Sequence, residues 1–326
     1  MATGPLRLGT RGSTLALAQA ELVVKAIAAA RDLGKGEVIP IRTSGDEEAD
    51  ESGTGPPRPG GDKARFVREI ERALLDGRVD LGVHSAKDLP TELPAGLELA
   101  GVPAREDALD AYVGAGASVE DLREGARIGT SSLRRRAQLL ALRPDLEIVE
   151  LRGNVDTRLR KLAEGDLDGI VLAAAGLRRL GREGEIGFRL SAAEMTPAPG
   201  QGALALESRA GDAATVAAAQ VLTDRTALAA LTAERAAVAD LDASCNTPVG
   251  AHATIDSGRM RAGGFCGLPD GSEWIRDEVE GDASEPEAIG RELAERMIAA
   301  GAREVLERAE QMAATAGPGS SQGGRR

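Results

Sequence analysis

The sequence predicts an α/β protein with two lobes, built on mostly parallel sheets, and a smaller α+β module at the C-terminal end. Three observations support this class. Short apolar strands alternate with amphipathic helices through the first two-thirds of the chain, as in βαβ units. Two proline-containing stretches interrupt this alternation and predict two crossings between the lobes. After about residue 220 the pattern changes to a helix, short strands and a long helix.

The first lobe begins with three predicted strands and two predicted helices. Ser13 is a favourable helix cap, because its hydroxyl can accept a hydrogen bond from a free N–H of the first turn. Apolar side chains recur at helical spacing after it and again after Lys63. The elements are strand Leu6–Leu8, a helix from Ser13 past Ile27, strand Val38–Ile41, helix Lys63–Leu75 and strand Val79–Val83.

The second lobe repeats the alternation after a first crossing at Leu97–Val113, which contains Pro103. Its elements are strand Arg127–Gly129, helix Ser132–Leu142, strand Glu147–Leu151, helix Val155–Glu164 and strand Gly169–Leu172. A second crossing, Pro197–Gly202, precedes strand Ala203–Leu206, which we expect to return to the first sheet. Two lobes joined by two crossings predict a hinged protein with a ligand cleft at the carboxyl ends of its strands.

The C-terminal module begins with a predicted helix, Thr223–Ala239. Short strands follow near residues 251–254, 260–266 and 274–279, and then a long amphipathic helix with Ile289, Leu293 and Met297 on one side. We therefore predict a first domain of residues 1–103 and 203–220, a second of 104–202, a third of 221–314, and a disordered tail of 315–326.

Composition narrows the classes of function. The formal net charge is -12 and only 2% of the 326 residues are aromatic, which argues against nucleic acid and anionic membranes as partners. No apolar run reaches the roughly 20 residues of a membrane span, and the N-terminus lacks a signal-peptide pattern. Two cysteines and two histidines are too few for a disulfide scaffold or a histidine-rich metal site. We expect a cytoplasmic protein without a metal.

The positive charge is concentrated where the second lobe is predicted. Residues 127–161 contain nine basic and four acidic side chains, whereas residues 221–326 contain eleven basic and eighteen acidic ones. Two loops there, Gly129–Arg136 and Leu151–Arg158, combine a helix start with hydrogen-bonding side chains and arginines. Either loop alone could be a solvated basic face, but both at equivalent points of successive βα units favour carboxylate binding.

Two further loops fall in the first lobe. Gly9–Ser13 is consistent with a simple capped turn, and in Val83–Pro90 a lysine and a carboxylate, Lys87 and Asp88, follow a strand. His84 in the same loop is more typical of a strand-end histidine with a structural partner than of a base.

Cys245 lies in a polar loop and could be a reactive thiol, whereas Cys266 lies in an apolar stretch and is expected to pack in the core. The candidate functions are a transferase acting on a polycarboxylate and a non-catalytic anion-binding protein. The loop thiol favours the transferase, since a passive receptor needs none.

Taken in order, these loops resemble the porphobilinogen deaminase family from Leu6 to Glu310. The resemblance rests on the segments LGTRGSTLALAQ, VHSAKDLPTELP, IGTSSLRRRAQL, LRGNVDTRL, AAAGLRRLG, PAPGQGAL and SCNTPVGA. It implies three domains, of which the first two are like the lobes of periplasmic binding proteins. It also implies a monomeric, cytoplasmic transferase of porphyrin (tetrapyrrole) biosynthesis. That enzyme joins four porphobilinogen molecules head to tail, releases ammonia and hydrolyses the product to hydroxymethylbilane.

The resemblance also implies roles for individual residues. Asp88 would be the catalytic carboxylate, and a dipyrromethane cofactor would be attached through a thioether to Cys245. The cofactor-binding residues would be Lys87, Ser132, Arg134, Arg135, Arg158 and Gln201, and the substrate-binding residues would be Arg11, Ser13, Arg152 and Phe66. The chain departs from the family pattern in its acidic, then Pro/Gly-rich segment Gly45–Asp62, and at Ala64 and Ala243–Ser244, where glycines are frequent.

Overall fold

The computed structural model describes residues 4–30, 35–42, 61–243 and 247–315, with side chains described from residue 67 onward in the helix that begins at Gly61. The strands are β1 (Leu6–Arg11), β2 (Gly36–Ile41), β3 (Leu81–Ser85), β4 (Leu97–Gly101), β5 (Asp110–Gly114), β6 (Arg127–Gly129), β7 (Glu147–Val149), β8 (Gly169–Ala173), β9 (Phe188–Leu190), β10 (Leu204–Arg209), β11 (Val249–Asp256), β12 (Arg259–Gly267) and β13 (Trp274–Asp282). The helices are α1 (Thr14–Ala29), α2 (Gly61–Leu75), α3 (Leu133–Leu142), α4 (Val155–Ala163), α5 (Ala174–Arg179), α6 (Ala213–Val221), α7 (Arg225–Asp240), α8 (Pro286–Ala299) and α9 (Ala302–Thr315).

Lobe 1 is built on a five-stranded sheet in the order β2-β1-β3-β10-β4. The first three strands run parallel, and β10 runs antiparallel to both of its neighbours. Helix α1 begins after Ser13, whose hydroxyl accepts a hydrogen bond from the Ala16 N–H at 3.3 Å. It packs Val23 and Ile27 against Leu8 of the sheet, so the apolar stripe read from the sequence faces the core.

Lobe 2 has a five-stranded sheet in the order β7-β6-β8-β5-β9. Strands β6, β7 and β8 run parallel, whereas β5 runs antiparallel to β8 and β9. The two lobes therefore have the same plan, with three parallel strands, one antiparallel strand and an edge strand. In both lobes the antiparallel strand directly follows a crossing from the other lobe. The first crossing is residues 102–109, between β4 and β5, which is shorter than the predicted Leu97–Val113.

The C-terminal module is a three-stranded antiparallel sheet, β11-β12-β13, covered by helices α7, α8 and α9. Its core is made of small and aliphatic side chains, with Leu293 and Met297 of α8 among those buried deepest. A Cβ at Gly290 would come within 2.2 Å of the Ala233 carbonyl, so α7 and α8 approach more closely than any side chain there would allow. Small residues make up for the lack of aromatic ones in this core.

Glu234 of α7 ties this module to both crossings. Its carboxylate accepts hydrogen bonds from Arg105 Nη1 at 2.6 Å in the first crossing and from the Gly200 N–H at 2.7 Å in the second. It also accepts one from the Ala253 N–H at 2.8 Å within the module. One buried carboxylate thus joins three separate segments of the chain.

The predicted fold class is confirmed, and several predicted boundaries are corrected. Strand β3 begins at Leu81 rather than Val79, because the Val79 N–H bonds to the Ala73 carbonyl at the end of α2. The long C-terminal helix is two helices, separated at Gly301, whose φ of +100° ends the first one. Helices α5 and α6 and strand β9 were not predicted. Helix α9 includes Thr315, and residues 316–326 of the predicted tail lie outside the described residues.

Candidate active site

A cavity of about 90 Å³ opens at the carboxyl ends of β1 and β3 in lobe 1. The polar residues that line it come from the end of β1, the start of α1 and the segment after β3: Arg11, Ser13, Gln19, His84, Ser85, Lys87 and Asp88. The parallel strands bring these distant segments together, since their carboxyl ends meet at one edge of the sheet. The cavity gathers five of the residues singled out from sequence: Arg11, Ser13, His84, Lys87 and Asp88.

Residues Ala86–Asp88 form a short 3-10 helix, which we call the Asp88 turn. It is anchored by its backbone, as the Ala86 N–H donates to the Ala203 carbonyl at 3.0 Å. Within the described residues, the Asp88 carboxylate has no hydrogen-bond or ion-pair partner. A partly buried carboxylate held at a cavity by its backbone alone is free to bind a ligand.

Gly200 of the second crossing fits directly against the Asp88 turn. Its φ is +71°, and a Cβ there would lie 2.9 Å from the Ala86 carbonyl carbon and 3.0 Å from the Lys87 nitrogen. Only glycine meets both requirements, the left-handed backbone and the absence of a side chain. This explains the glycine at the fourth position of the PAPGQG segment.

Two buried side chains fix the strand that leads into the turn. Gln19 of α1 hydrogen-bonds with the Ser85 hydroxyl, with its Nε2 3.0 Å and its Oε1 3.2 Å from Ser85 Oγ. His84 Nε2 lies 3.0 Å from Glu207 Oε2 of β10, and both side chains are almost fully buried. The expectation that His84 is a strand-end histidine with a structural partner is therefore confirmed.

The two arginine-rich loops of lobe 2 each begin a helix. The Ser132 hydroxyl accepts from the Arg135 N–H at 3.4 Å at the start of α3, and Asn154 Oδ1 accepts from the Thr157 N–H at 2.9 Å at the start of α4. Both helices therefore direct their positive ends to the carboxyl edge of the parallel strands. Such positions favour anions, as the sequence predicted.

Arg134, Arg135 and Gln201 converge on a buried carboxylate, Asp110 of β5. Arg134 Nη1 lies 2.7 Å from Asp110 Oδ2, while Arg135 Nε and Gln201 Nε2 lie 2.9 Å and 3.1 Å from Oδ1. Arg134 Nη1 also donates to the Thr196 carbonyl at 2.7 Å, at the approach to the second crossing. Three residues predicted to bind the cofactor thus form one network where the lobes join.

The Asp110 network has a clear electrostatic balance. Burial by itself would raise the pKa of Asp110, but Arg134 and Arg135 outweigh it and hold the pKa well below its usual range. Burial lowers the pKa of Arg135, with Asp110 opposing that change. Two guanidinium groups against one carboxylate leave an excess positive charge here.

Arg158 faces no carboxylate among the described residues. Its Nε donates to the Gly153 carbonyl at 2.8 Å, and its Nη2 lies 3.5 Å from the Ser131 hydroxyl. Burial, with repulsion from Arg135 and Arg152, lowers its pKa to about 10. A guanidinium held among other cations is stabilised by an incoming anion. Arg152 differs, since its Nε donates to Glu150 at 2.7 Å.

Comparison with known families and proteins accounts for this arrangement. Residues 6–217 match the family model "Porphobilinogen deaminase, dipyromethane cofactor binding domain", and residues 228–299 match "Porphobilinogen deaminase, C-terminal domain". The porphobilinogen deaminase of Trichlorobacter lovleyi is 45% identical over 94% of this chain and 97% of its own. The porphobilinogen deaminase of Thermus thermophilus is 47% identical over 92% of this chain and 97% of its own.

The chain belongs to the porphobilinogen deaminase family. Membership confirms the resemblance read from the loops and, with it, the transferase activity in tetrapyrrole biosynthesis and the dipyrromethane cofactor. The cofactor carries several carboxylates on its pyrrole rings. The excess of guanidinium groups around Asp110 and Arg158, at two helix N-termini, fits a group of that charge.

Solved structures similar to this chain include periplasmic receptors. A TRAP periplasmic solute binding protein from Desulfovibrio salexigens is 12% identical with a TM-score of 0.40, covering 68% of this chain and 73% of its own. The L-cystine solute receptor of Neisseria gonorrhoeae is 15% identical with a TM-score of 0.38, covering 68% and 86%. The two-lobed fold is established by the sheets of the chain itself.

The two cysteines of this deaminase differ in setting. Cys245 lies outside the described residues, but the segment that follows it is fixed, because the Ala251 N–H donates to the Pro197 carbonyl at 3.0 Å. The cysteine loop therefore ends against the second crossing, the segment that also carries Gly200. Cys266 is fully buried, and burial raises the pKa of its thiol to about 12. Its predicted packing role is confirmed.

Sequence reasoning overlooked two residues of the site. Asp110 lies within the predicted first crossing and was not singled out, although it is the carboxylate that orders Arg134 and Arg135. Arg179, at the end of α5, donates to the Gly202 carbonyl at 2.6 Å, and burial lowers its pKa to about 10. The signal in the sequence for Arg179 was the pair of arginines in AAAGLRRLG, a segment that follows an apolar strand. The side chain of Phe66 lies outside the described residues.

No helix in the described parts of the chain is long and apolar enough to cross a membrane. No group of three or more histidine, cysteine or acidic side chains there could hold a metal ion.

Proposed function

We propose that this chain joins four porphobilinogen molecules head to tail in the cleft between its lobes and hydrolyses the product to hydroxymethylbilane, with Asp88 as the catalytic carboxylate. The observation that carries this assignment is the Asp88 carboxylate itself, which lines a cavity and has no partner among the described residues. Carboxylates of folded proteins that serve structure alone are normally paired or hydrogen-bonded when partly buried.

The candidate binding residues divide between two ligands, the cofactor and the substrate. For the cofactor we assign Lys87, Ser132, Arg158 and the Asp110 network of Arg134, Arg135 and Gln201. For the substrate we assign Arg11, Ser13, Arg152 and Phe66. Each arginine matches the planar geometry of a carboxylate, whereas Lys87 acts as a point charge.

The chemistry needs a fixed negative charge where positive charge develops. When bound, the dipyrromethane supplies a nucleophilic pyrrole carbon at its free end. The Asp88 carboxylate accepts a hydrogen bond from the pyrrole N–H of porphobilinogen and stabilises the cation that forms as ammonia departs. In this proposal it also accepts the proton released after the new carbon–carbon bond forms. The backbone anchors of the Asp88 turn keep that charge in place during the reaction.

We further propose that the enzyme is a cytoplasmic monomer with the domain limits predicted from sequence and the cofactor attached to Cys245. A single chain supplies both lobes and both crossings, so the cleft needs no second copy. The described segment after Cys245 contacts the second crossing through Ala251, which supports attachment at the base of this cleft.

An intact-mass measurement tests this function. We expect the purified protein to be heavier than its sequence by two linked pyrrole units, and the excess to disappear in Cys245→Ser. Cys266→Ala is the matched control, because that buried thiol should leave the excess mass and the activity in place. A wild-type protein without added mass that still forms hydroxymethylbilane would contradict the covalent attachment. A protein with neither added mass nor activity would support the passive anion-binding alternative instead.

A further inference from the structure

Arg235 of α7 contacts the segment that directly follows the Asp88 turn. Its Nη2 donates to the Pro90 carbonyl at 2.8 Å and to the Thr91 carbonyl at 2.6 Å. These contacts link the C-terminal module to lobe 1 across about 145 residues of sequence. Hydrogen bonds from a charged donor are roughly twice as strong as those between neutral groups. Arg235 therefore holds the main chain two and three residues beyond Asp88.

Packing places one face of α7 against the Asp88 turn. Ala86 and Leu89, which flank Lys87 and Asp88, share an apolar cluster with Ala227 and Leu231 of α7. All four are less than a tenth exposed. Because Ala227, Leu231 and Arg235 are spaced four residues apart, one face of the helix forms the wall of the turn. Arg235 completes that face with its two hydrogen bonds.

The charges around Arg235 suit a fixed position. Burial lowers its pKa, and the negative charge of Glu207 opposes that change. Glu207 is the buried carboxylate paired with His84, one residue before Ser85 at the end of β3. The Asp88 turn is thus held on both sides, by the Gln19–Ser85 hydrogen bond at the end of β3 and by Arg235 after it.

The residue beside Arg235 contacts the crossings. Glu234 binds Arg105 of the first crossing and Gly200 of the second, and Gly200 itself packs against Ala86. One turn of α7 therefore touches the hinge segments through Glu234 and the Asp88 segment through Arg235. A shift of α7 would therefore displace both the crossings and the Asp88 segment.

We infer that Arg235 is a positioning residue for the reaction: it fixes the Asp88 turn to the C-terminal module and so sets the place of the Asp88 carboxylate in the cleft. The inference rests on the proposed role of Asp88. Arg235 is not among the residues that line the cavity, so its effect must pass through the main chain that it binds beside Asp88.

Kinetics of Arg235→Gln test this role. We expect kcat to fall about 10- to 100-fold, as a displacement near 1 Å does at other sites, with KM within about twofold of wild type. Arg225→Gln is the matched control, since Arg225 is an exposed arginine at the other end of the same helix, and its kcat should not change. Intact mass should show the cofactor fully loaded in both variants.

Two further measurements separate positioning from general destabilisation. Amide hydrogen exchange of the segment 85–91 should become faster in Arg235→Gln, while the core of lobe 2 keeps its wild-type exchange. Arg235→Lys should recover part of the lost kcat, because both hydrogen bonds leave from one nitrogen and an ammonium has three donors. Wild-type kcat in Arg235→Gln, unchanged exchange at 85–91, or loss of the cofactor would each overturn the inference.

The outcome for Asp88 itself keeps the two proposals apart. If Asp88→Asn loses turnover while Arg235→Gln does not, Asp88 remains catalytic and the positioning role is wrong. If Asp88→Asn turns over normally, the proposed role of Asp88 fails, and with it the reason given for any loss in Arg235→Gln.

Discussion

Two aspartates of this deaminase have opposite electrostatic settings. Asp110 is fully buried between two arginines, which hold its pKa well below its usual range against the effect of burial. Asp88 is partly exposed in a cavity and has no partner among the described residues. The first carboxylate is paired within the structure, whereas the second remains available to a ligand.

Asp88→Asn should keep the shape of the turn and lose its charge. We expect kcat to fall on the order of 10²- to 10³-fold, the usual cost of losing one oriented electrostatic group, with the cofactor still attached. Steady-state formation of hydroxymethylbilane measures the loss. Glu92→Gln is the control, because Glu92 is an exposed carboxylate only four residues away. Equal turnover in the two variants would remove Asp88 from the mechanism.

Sequence reasoning reached Asp88 and Lys87 because they stand out locally, as charged residues just after an apolar strand. It missed Asp110 because its role depends on Arg134 and Gln201, which lie 24 and 91 residues further along the chain. Partners at such separations leave no local pattern. The family motifs indicated the arginines but did not reveal the buried carboxylate that orders them.

At the scale of elements, the second crossing is more than a connection between lobes. Its Gly200 touches the Asp88 turn, its Pro197 binds the strand after the cysteine loop, and its Gln201 reaches Asp110. Three parts of the active site therefore depend on the path of six residues. The packing at Gly200 makes this dependence testable.

Gly200→Ala should disturb the site through contact as well as strain. The positive φ costs about 1–2 kcal/mol for a residue with a Cβ, and the clash with Ala86 must displace the Asp88 turn. We expect lower stability to urea and a kcat reduced about 10²-fold. Gly211→Ala is matched in strain, with a φ of +81°, but a Cβ there meets nothing within 4 Å. The urea midpoint of Gly211→Ala should fall while its kcat stays at the wild-type value. A fall in kcat equal to that of Gly200→Ala would contradict the contact argument.

Elements set by local signals were predicted well. The Ser13 cap and the apolar stripe of α1 were correct because caps and periodicity involve neighbours within a few residues. The place of β10 between β3 and β4, and the break at Gly301, were not evident, because strand pairing and left-handed glycines are decided by tertiary packing. Helix α6 escaped notice since its alanine-rich sequence shows little polar–apolar alternation.

At the scale of the whole molecule, Glu234 links the C-terminal module to both crossings between the lobes. It is almost fully buried and binds Arg105, Gly200 and Ala253. Burial favours its neutral form, but Arg105 and His252 outweigh burial and hold its pKa below the ordinary value of 4.5. A charged carboxylate at this junction therefore contributes to stability at neutral pH.

Glu234→Gln should lower the free energy of unfolding by about 3–5 kcal/mol at pH 7, because it leaves Arg105 buried without its counter-charge. Since the folded pKa is depressed, the contribution of Glu234 is present above the ordinary value and lost as the pH falls through the folded one. The difference between variant and wild type should therefore shrink below about pH 4.5. Urea unfolding at several pH values measures it.

The control for this prediction is an ion pair on the surface. Glu287 lies 3.2 Å from Arg291 on α8, and both side chains are more than half exposed. Glu287→Gln should cost at most about 1 kcal/mol. A cost for Glu234→Gln no larger than that of Glu287→Gln would show that the junction does not depend on the charge of Glu234.

The strand order of lobe 1 has a consequence for how the chain is made. Strand β10 lies between β3 and β4, so the sheet that carries the Asp88 turn stays incomplete until residue 209 has left the ribosome. The sheet of lobe 2 needs only residues 110–190, so all its strands are synthesised before β10, the fourth strand in the order of the lobe 1 sheet. During synthesis the N-terminal lobe is therefore the later one to finish. The sheet that bears the Asp88 turn can therefore be completed only after the whole chain segment of lobe 2 has been synthesised.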